Sequence, residues 1–309
     1  MGTGEIGFPV LRWLASVPTI SLVAVVTQPD KPVGRSQALT PPASKRLATA
    51  LNLPVLQPQK VRQQDELDRI AAFHPDVIVV MAYGQILPRA LLEMPVLACL
   101  NLHASILPRH RGAAPIQASI LEGDRSTGIS VIHMAQELDA GDVLLTKSIP
   151  IRHRETGGSL HDRLGAIGPE TLAAALQLVL EGKAPRIPQD ELKATYAPKL
   201  SRASGQIDWW RDCWYLDRLV RAMNPWPGAF TQVQNPDGIT RRLKIHRALP
   251  AHRMTGRIGV VERMGDRGIV VGCGSGSLIL KEIQLEGKRR LTAAQFLRGF
   301  SLAPGTAFT

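Results

Sequence analysis

The sequence predicts an α/β domain on a doubly wound, mostly parallel sheet, followed by a small β-barrel, and three observations carry that expectation. The chain has 309 residues, enough for two domains at roughly 100–200 residues each. Its first two-thirds alternates short β-branched runs with longer amphipathic segments, the pattern of a parallel sheet covered by helices. Its last third replaces that rhythm with short alternating runs separated by turns, the pattern of a small barrel. A composition of 44% hydrophobic and 20% charged residues is globular and excludes long disordered arms.

In the first domain, residues 1–184, strands are expected at 21–26, 76–82, 99–103, 129–133 and 143–149. Helical spacing marks 8–15, 42–50 and 64–73 between them. Pro185, Pro188 and the polar stretch 189–194 read as a surface linker, taken as 185–203. The second domain, 204–309, opens with a helix over 212–223 that ends at the breaker Asn224-Pro225-Trp226-Pro227-Gly228. Barrel strands are expected at 229–233, 243–246, 256–261, 268–271 and 278–283, with a turn at Pro236-Asp237-Gly238.

Several function classes are excluded early. The apolar run at 77–82 falls far short of the ~18 residues needed to cross a bilayer. No basic and apolar leader follows Met1, and Ile6 stands where a myristoylation signal needs Ser or Thr. A cytosolic, monomeric protein is expected. Three scattered cysteines, Cys99, Cys213 and Cys273, build neither a disulfide framework nor a CxxC metal site. Of the net charge of +11, most lies at the back: residues 201–309 carry 17 Lys and Arg against 8 Asp and Glu. That surplus is either a solubilising surface or a footprint for a polyanion such as RNA. Gly2-Thr3-Gly4-Glu5-Ile6-Gly7 spells GxGxxG, but no strand precedes it and no acidic residue follows at the spacing a dinucleotide ribose needs. It reads as a glycine turn into the first helix.

The chemistry concentrates in CLNLHASILPRHRGAAPIQ, residues 99–117. Asn101 and His103 lie two apart at the end of a strand, so both project to one side, near the sheet edge where open α/β folds bind ligands. An amide donor beside an imidazole suits acyl transfer, the amide stabilising an oxyanion while the imidazole moves protons. No GxSxG elbow supplies a serine, and Cys99 lacks an activating partner, so direct transfer between two bound substrates is expected. A carboxylate to orient the imidazole could come from Glu137, Asp139 or Asp142, and spacing does not choose among them.

These segments, with ELDAGDVL at 137–144, TQPDKPVGR at 27–35, MAYGQILP at 81–88, IDWW at 207–210, NPWPGAF at 224–230 and GKRRLTAAQFLRG at 287–299, resemble the formyltetrahydrofolate-dependent formyltransferases along nearly the whole chain. The resemblance implies a Rossmann-like first domain and an OB-like barrel. It further implies transfer of a formyl group from the co-substrate 10-formyltetrahydrofolate, without a metal, to the α-amine of methionine on initiator tRNA. The alternative is a related formyltransferase or hydrolase acting on another acceptor. Asn101, His103 and Asp139 correspond to the family's reacting residues, with Asp139 fixing the imidazole's tautomer and Asp142 only its neighbour. Ser105, Ile106, Leu107 and Pro108 correspond to the folate-contacting segment. The resemblance assigns tRNA contacts to Arg35, in a loop over 27–42, and to the barrel cations Arg241, Arg242, Lys244, Lys288, Arg289 and Arg290. Trp209, Trp210, Trp214 and Trp226 are expected to pack at the domain junction. Family members open with a short apolar strand before the Gly-Thr turn, whereas this chain starts at that turn. An upstream strand is therefore expected, and without it a gap in the sheet between 21–26 and 76–82.

Overall fold

A computed structural model describes residues 1–34, 37–234, 238–252 and 256–309, which fall into two compact units. Unit one comprises Met1–Pro115, Ser126–Pro150 and His161–Pro198, and unit two comprises Ile116–Arg125, Ile151–Leu160 and Lys199–Thr309.

In unit one the interior strand is Ala98–His103, every residue of which is buried. It pairs in parallel with Val77–Val80 and antiparallel with Ser126–His133, which in turn pairs antiparallel with Val143–Pro150. Ser126–His133 alone runs against its neighbours, and Val143–Pro150 is again parallel to Ala98–His103, so the sheet is mostly parallel with one reversed strand. A parallel partner needs a long crossover, whereas the short loop between Ser126–His133 and Val143–Pro150 joins two antiparallel strands directly.

A second piece of sheet, Val25–Val26 parallel with Val55–Leu56, stands apart in the pairing. Residues 1–3 lie between the two pieces. Gly2 N donates to Val26 O at 2.9 Å and Met81 N donates to Met1 O at 3.0 Å. Expected strand 21–26 thus shortens to its last two residues. The glycines of the GxGxxG run serve close packing here. A Cβ on Gly2 would lie 2.7 Å from Met81 O, and one on Gly4 2.9 Å from Ala82 Cβ. The turn Glu5–Gly7 then leads into the helix Phe8–Ser16.

Helices Ala43–Ala50 and Gln64–Ala71 lie where the periodicity puts them. The 24-residue helix Gly157–Leu180 is absent from the sequence expectation. Its Pro169 and four glycines read as breakers. Gly165 and Gly168 instead allow close approach, since their Cβ atoms would meet Ile6 O at 3.2 Å and Val10 Cγ2 at 2.7 Å. Leu164, Leu172 and Ala175 of this helix are fully buried, as are Leu100, Ile129 and Val131 of the sheet. Leu100→Ala is expected to cost about 2–5 kcal/mol, because packing this close does not collapse to fill the cavity. Thermal or urea denaturation checks it.

Unit two holds an antiparallel sheet in the order Ala229–Gln234, Thr240–Ala251, Ser277–Leu285, Gly268–Gly272, Val261–Gly265. The chain's last residues join its two edges. Gln232 N donates to Thr309 O at 2.7 Å on one side, and Val261 N donates to Thr306 O at 2.8 Å on the other. That closes the sheet into a barrel. Alternation buries Leu243, Ile245 and Ala248, and a bulge at Arg247 breaks the period-two pattern, which hid the strand's full length from the sequence. Expected strand 256–261 makes isolated bridges at Ile258 and Val260 instead, and pairing proper begins at Val261. Pro236 and Asp237 lie outside the described residues. Asp212 caps the helix Cys213–Ala222 by accepting from the amides of Trp214 and Tyr215.

The tryptophans do not pack as a group. Trp209 is buried, donates through Nε1 to Thr231 Oγ1 at 3.0 Å and packs on Phe308. Trp210, Trp214 and Trp226 are each more than half exposed. The helix Cys213–Ala222 turns Cys213, Leu216, Leu219 and Val220 inward, so Trp214 stays on its outer side.

Candidate active site

Asn101 and His103 end the buried interior strand on one face, as the two-residue period requires. Both side chains are almost wholly buried, His103 at 5% exposure. The loop after Ser126–His133 brings Asp139 to them, its backbone in the left-handed region at φ 54°. Asn101 Nδ2 donates to Asp139 Oδ1 at 3.1 Å. Asp139 Oδ2 accepts from the amide of Gly112 at 2.8 Å and lies 3.4 Å from His103 Nδ1. The other imidazole nitrogen, Nε2, is 2.8 Å from the carbonyl oxygen of His110.

Both imidazole nitrogens thus face groups that can only accept, the His110 carbonyl at Nε2 and the Asp139 carboxylate at Nδ1. The His110 carbonyl and the Asp139 carboxylate therefore orient the ring from its two sides. Asp139 is placed to act as counter-ion to an imidazolium at His103. Of the three loop acids, Asp139 reaches Asn101 and His103. Asp142 lies 3.8 Å from Arg186, and Glu137 is exposed. Burial pushes the Cys99 thiol up to about 12, which removes it as a nucleophile at neutral pH.

Ser105 to Pro108 is held from below by Ser130, whose hydroxyl donates to Ser105 O at 2.8 Å and accepts from Leu107 N at 3.1 Å. The Ser105 hydroxyl itself donates to Arg109 O at 2.6 Å. Ile106 is only half-buried, whereas Leu107 is buried.

Sequence reasoning missed the backbone groups of His110 and Gly112, because an amide or a carbonyl leaves no residue signature. The glycine was the available signal. Gly112 has φ 110°, and a Cβ there would lie 2.7 Å from Ala197 O, where Arg111–Gly112 pairs in parallel with Tyr196–Ala197. The segment read as a linker therefore packs against the site-bearing loop.

In unit two, Arg241, Arg242 and Lys244 are partly exposed on the strand Thr240–Ala251, while Lys288, Arg289 and Arg290 are exposed just before Leu291. The Arg242 guanidinium lies 4.2 Å from the Phe230 ring centroid, and Arg290 pairs with Glu282. Arg35 lies outside the described residues. Among the described residues, no helix is long and apolar enough to cross a membrane, and no group of three or more His, Cys, Asp or Glu side chains is placed to hold a metal ion.

The family described as formyl transferase matches residues 14–176, and its C-terminal domain matches 199–301. A protein from Geobacter sulfurreducens named methionyl-tRNA formyltransferase is 48% identical over 306 residues, covering 99% of this chain and 94% of its own. One of the same name from Akkermansia muciniphila is 45% identical over 302 residues, covering 97% of this chain and 95% of its own. The fold is shared with WlaRD, a sugar 3N-formyl transferase solved in the presence of dTDP and 5-N-formyl-THF. Its TM-score is 0.65 at 16% identity, covering 93% of this chain and 97% of that one. Both units, and the strand end and loop that gather Asn101, His103 and Asp139, fall within these matches, and the chain belongs to the formyl transferase family.

Proposed function

We propose that this protein transfers the formyl group of 10-formyltetrahydrofolate to the α-amino group of methionine carried on initiator tRNA, in the cytoplasm. The observation that carries the reading is the buried cluster of Asn101, His103 and Asp139, with Asn101 hydrogen-bonded to Asp139 and His103 Nδ1 beside its carboxylate. It occurs in a chain 45–48% identical, almost end to end, to proteins named methionyl-tRNA formyltransferase. An amide and an imidazole with no activated nucleophile suit direct attack of an amine on a formyl carbon.

In that reaction the neutral amine adds to the formyl carbon and an oxyanion forms. Asn101 spends one amide N–H on Asp139 and keeps the second for that oxygen. The amine's proton passes to the His103 imidazole, and the Asp139 carboxylate stabilises the resulting imidazolium. It moves on to folate N10 as the C–N10 bond breaks, leaving tetrahydrofolate and the formylated amine. The segment Ser105 to Pro108 would contact the folate.

The barrel's cations would hold the tRNA backbone, which positions without reading sequence. Its affinity is then expected to fall with rising salt. Lys244→Ala or Lys288→Ala should each reduce the log–log slope by about one unit. Arg290→Ala should reduce it less, because Glu282 already neutralises that charge. Filter binding over a salt series checks both.

The decisive experiment incubates the protein with 10-formyltetrahydrofolate and methionylated initiator tRNA, with methionylated elongator tRNA and an amino-sugar nucleotide as parallel acceptors. Formylmethionine on the initiator species is the expected product. Formylation of the sugar alone, or hydrolysis of the donor without transfer, overturns the reading.

A further inference from the structure

We infer that Gln189, oriented by the buried guanidinium of Arg111, is a positioning residue that sets the Asp139 carboxylate for formyl transfer. This rests on the function proposed above. Asp139 reaches Asn101 and Gly112 from a loop, with its own backbone in a region few non-glycine residues adopt. A loop so bent needs an external hold. Gln189 supplies it: its Nε2 donates to Asp139 O and to Gly141 O, both at 2.8 Å. One side-chain amide thus grips the carbonyls on either side of Ala140.

The amide cannot flip. Its Oε1 accepts from Arg111 Nε at 3.0 Å and from Arg111 Nη2 at 2.9 Å, and a guanidinium only donates. The opposite face meets two carbonyls, which only accept. Arg111 is itself locked. Its side chain is 1% exposed, and two further donors go to the Glu191 carboxylate at 2.9 and 2.7 Å. Its amide donates to Thr195 O at 2.8 Å.

Arg111 also stands between the two backbone groups that touch the site, the His110 carbonyl on His103 and the Gly112 amide on Asp139. One tripeptide therefore holds the imidazole and the carboxylate directly, and through Gln189 holds the loop that presents the carboxylate. Removing the Gln189 donor frees the loop while leaving Asn101 and His103 on their strand.

Two variants test this. Gln189→Glu keeps the acceptor for Arg111 but turns a carboxylate oxygen toward the two carbonyls, and Gln189→Met keeps the length without either polar end. Both are expected to lower kcat by about 10- to 100-fold, with KM for 10-formyltetrahydrofolate little changed. In an Asp139→Asn background the same changes should add almost nothing, because they act through that carboxylate. The Gly112 amide, whose partner is Asp139, should exchange its hydrogen faster in both variants, a readout independent of turnover.

Unchanged kcat and Gly112 exchange, or a loss of the same factor in the Asp139→Asn background, overturns the inference. If Gln189→Glu fails to melt cooperatively, Gln189→Met decides. A wild-type protein that transfers no formyl group to methionyl-tRNA sinks the functional reading, and the Gly112 exchange still decides whether Gln189 sets the loop. Normal wild-type transfer with a crippled Asp139→Asn and unimpaired Gln189 variants sinks the positioning role alone.

Discussion

Asn101→Ala, His103→Ala and Asp139→Asn are each expected to lower kcat by about 10²–10³ while leaving KM for the formyl donor nearly unchanged. In the proposed mechanism each variant removes a group that acts as charge develops, not one that merely binds the ground state. Asp139→Asn carries two losses. The carboxylate accepts at both oxygens, from Asn101 Nδ2 and from Gly112 N, and an amide presents only one acceptor, so one donor faces an NH₂. The negative charge opposite His103 Nδ1 also disappears, and an imidazolium formed there loses its counter-ion. Asp142→Asn is the control. That partly exposed side chain faces the exposed Arg186 across 3.8 Å, and such pairs contribute little. Single-turnover transfer to methionylated initiator tRNA separates the cases. An Asp142 variant as slow as the Asp139 variant would show that the loop was assigned the wrong acid.

How much of this was legible depends on whether the information was local. Asn101 and His103 could be paired from sequence because a strand repeats every two residues and both lie on one strand. The choice among Glu137, Asp139 and Asp142 could not be made from spacing. A loop has no period, and the bend that aims Asp139 is a φ angle, not a residue type. The contribution of His110 and Gly112 comes from backbone atoms, which every residue carries.

The Arg111 and Gln189 contact joins positions 78 residues apart. Gln189 also sits in a Pro-flanked polar stretch whose composition is that of a solvated linker. Burial of a guanidinium at 1% exposure is a tertiary fact that composition argues against. The helix Gly157–Leu180 was hidden for a related reason. Its glycines lower helix propensity, yet two of them are what lets it approach the turn at Ile6 and the helix at Val10. The first sheet's one reversed strand, Ser126–His133, is joined to Val143–Pro150 by a short loop, a direction that β-branched runs alone do not encode. In the barrel, alternation revealed most strands, and the bulge at Arg247 hid the length of one.

Gly141→Ala is expected to be nearly as damaging as loss of a reacting group, although Gly141 carries no chemistry. A Cβ there would lie 1.8 Å from the carbonyl oxygen of His133, a contact that cannot be tolerated, and a tight 3.2 Å from the amide nitrogen of Ala135. His133 ends a strand paired on both sides, and its amide donates to Asp142 O at 2.9 Å. The strand end therefore stays and the loop gives way. Asp139 lies two residues upstream in that loop, and Gly141 O is one of the two carbonyls held by Gln189, so the displacement reaches the carboxylate. A misplacement of about 1 Å at a reacting group costs about 10² in rate, and kcat for Gly141→Ala should fall by that order. Ala140→Gly, which adds no atom, should cost much less. Kinetics and thermal melts of the two variants test the argument together. A Gly141→Ala protein that melts normally and turns over at the wild-type rate would mean that the loop absorbs the methyl group without moving Asp139, and that the coupling between the His133 strand end and the carboxylate is not rigid.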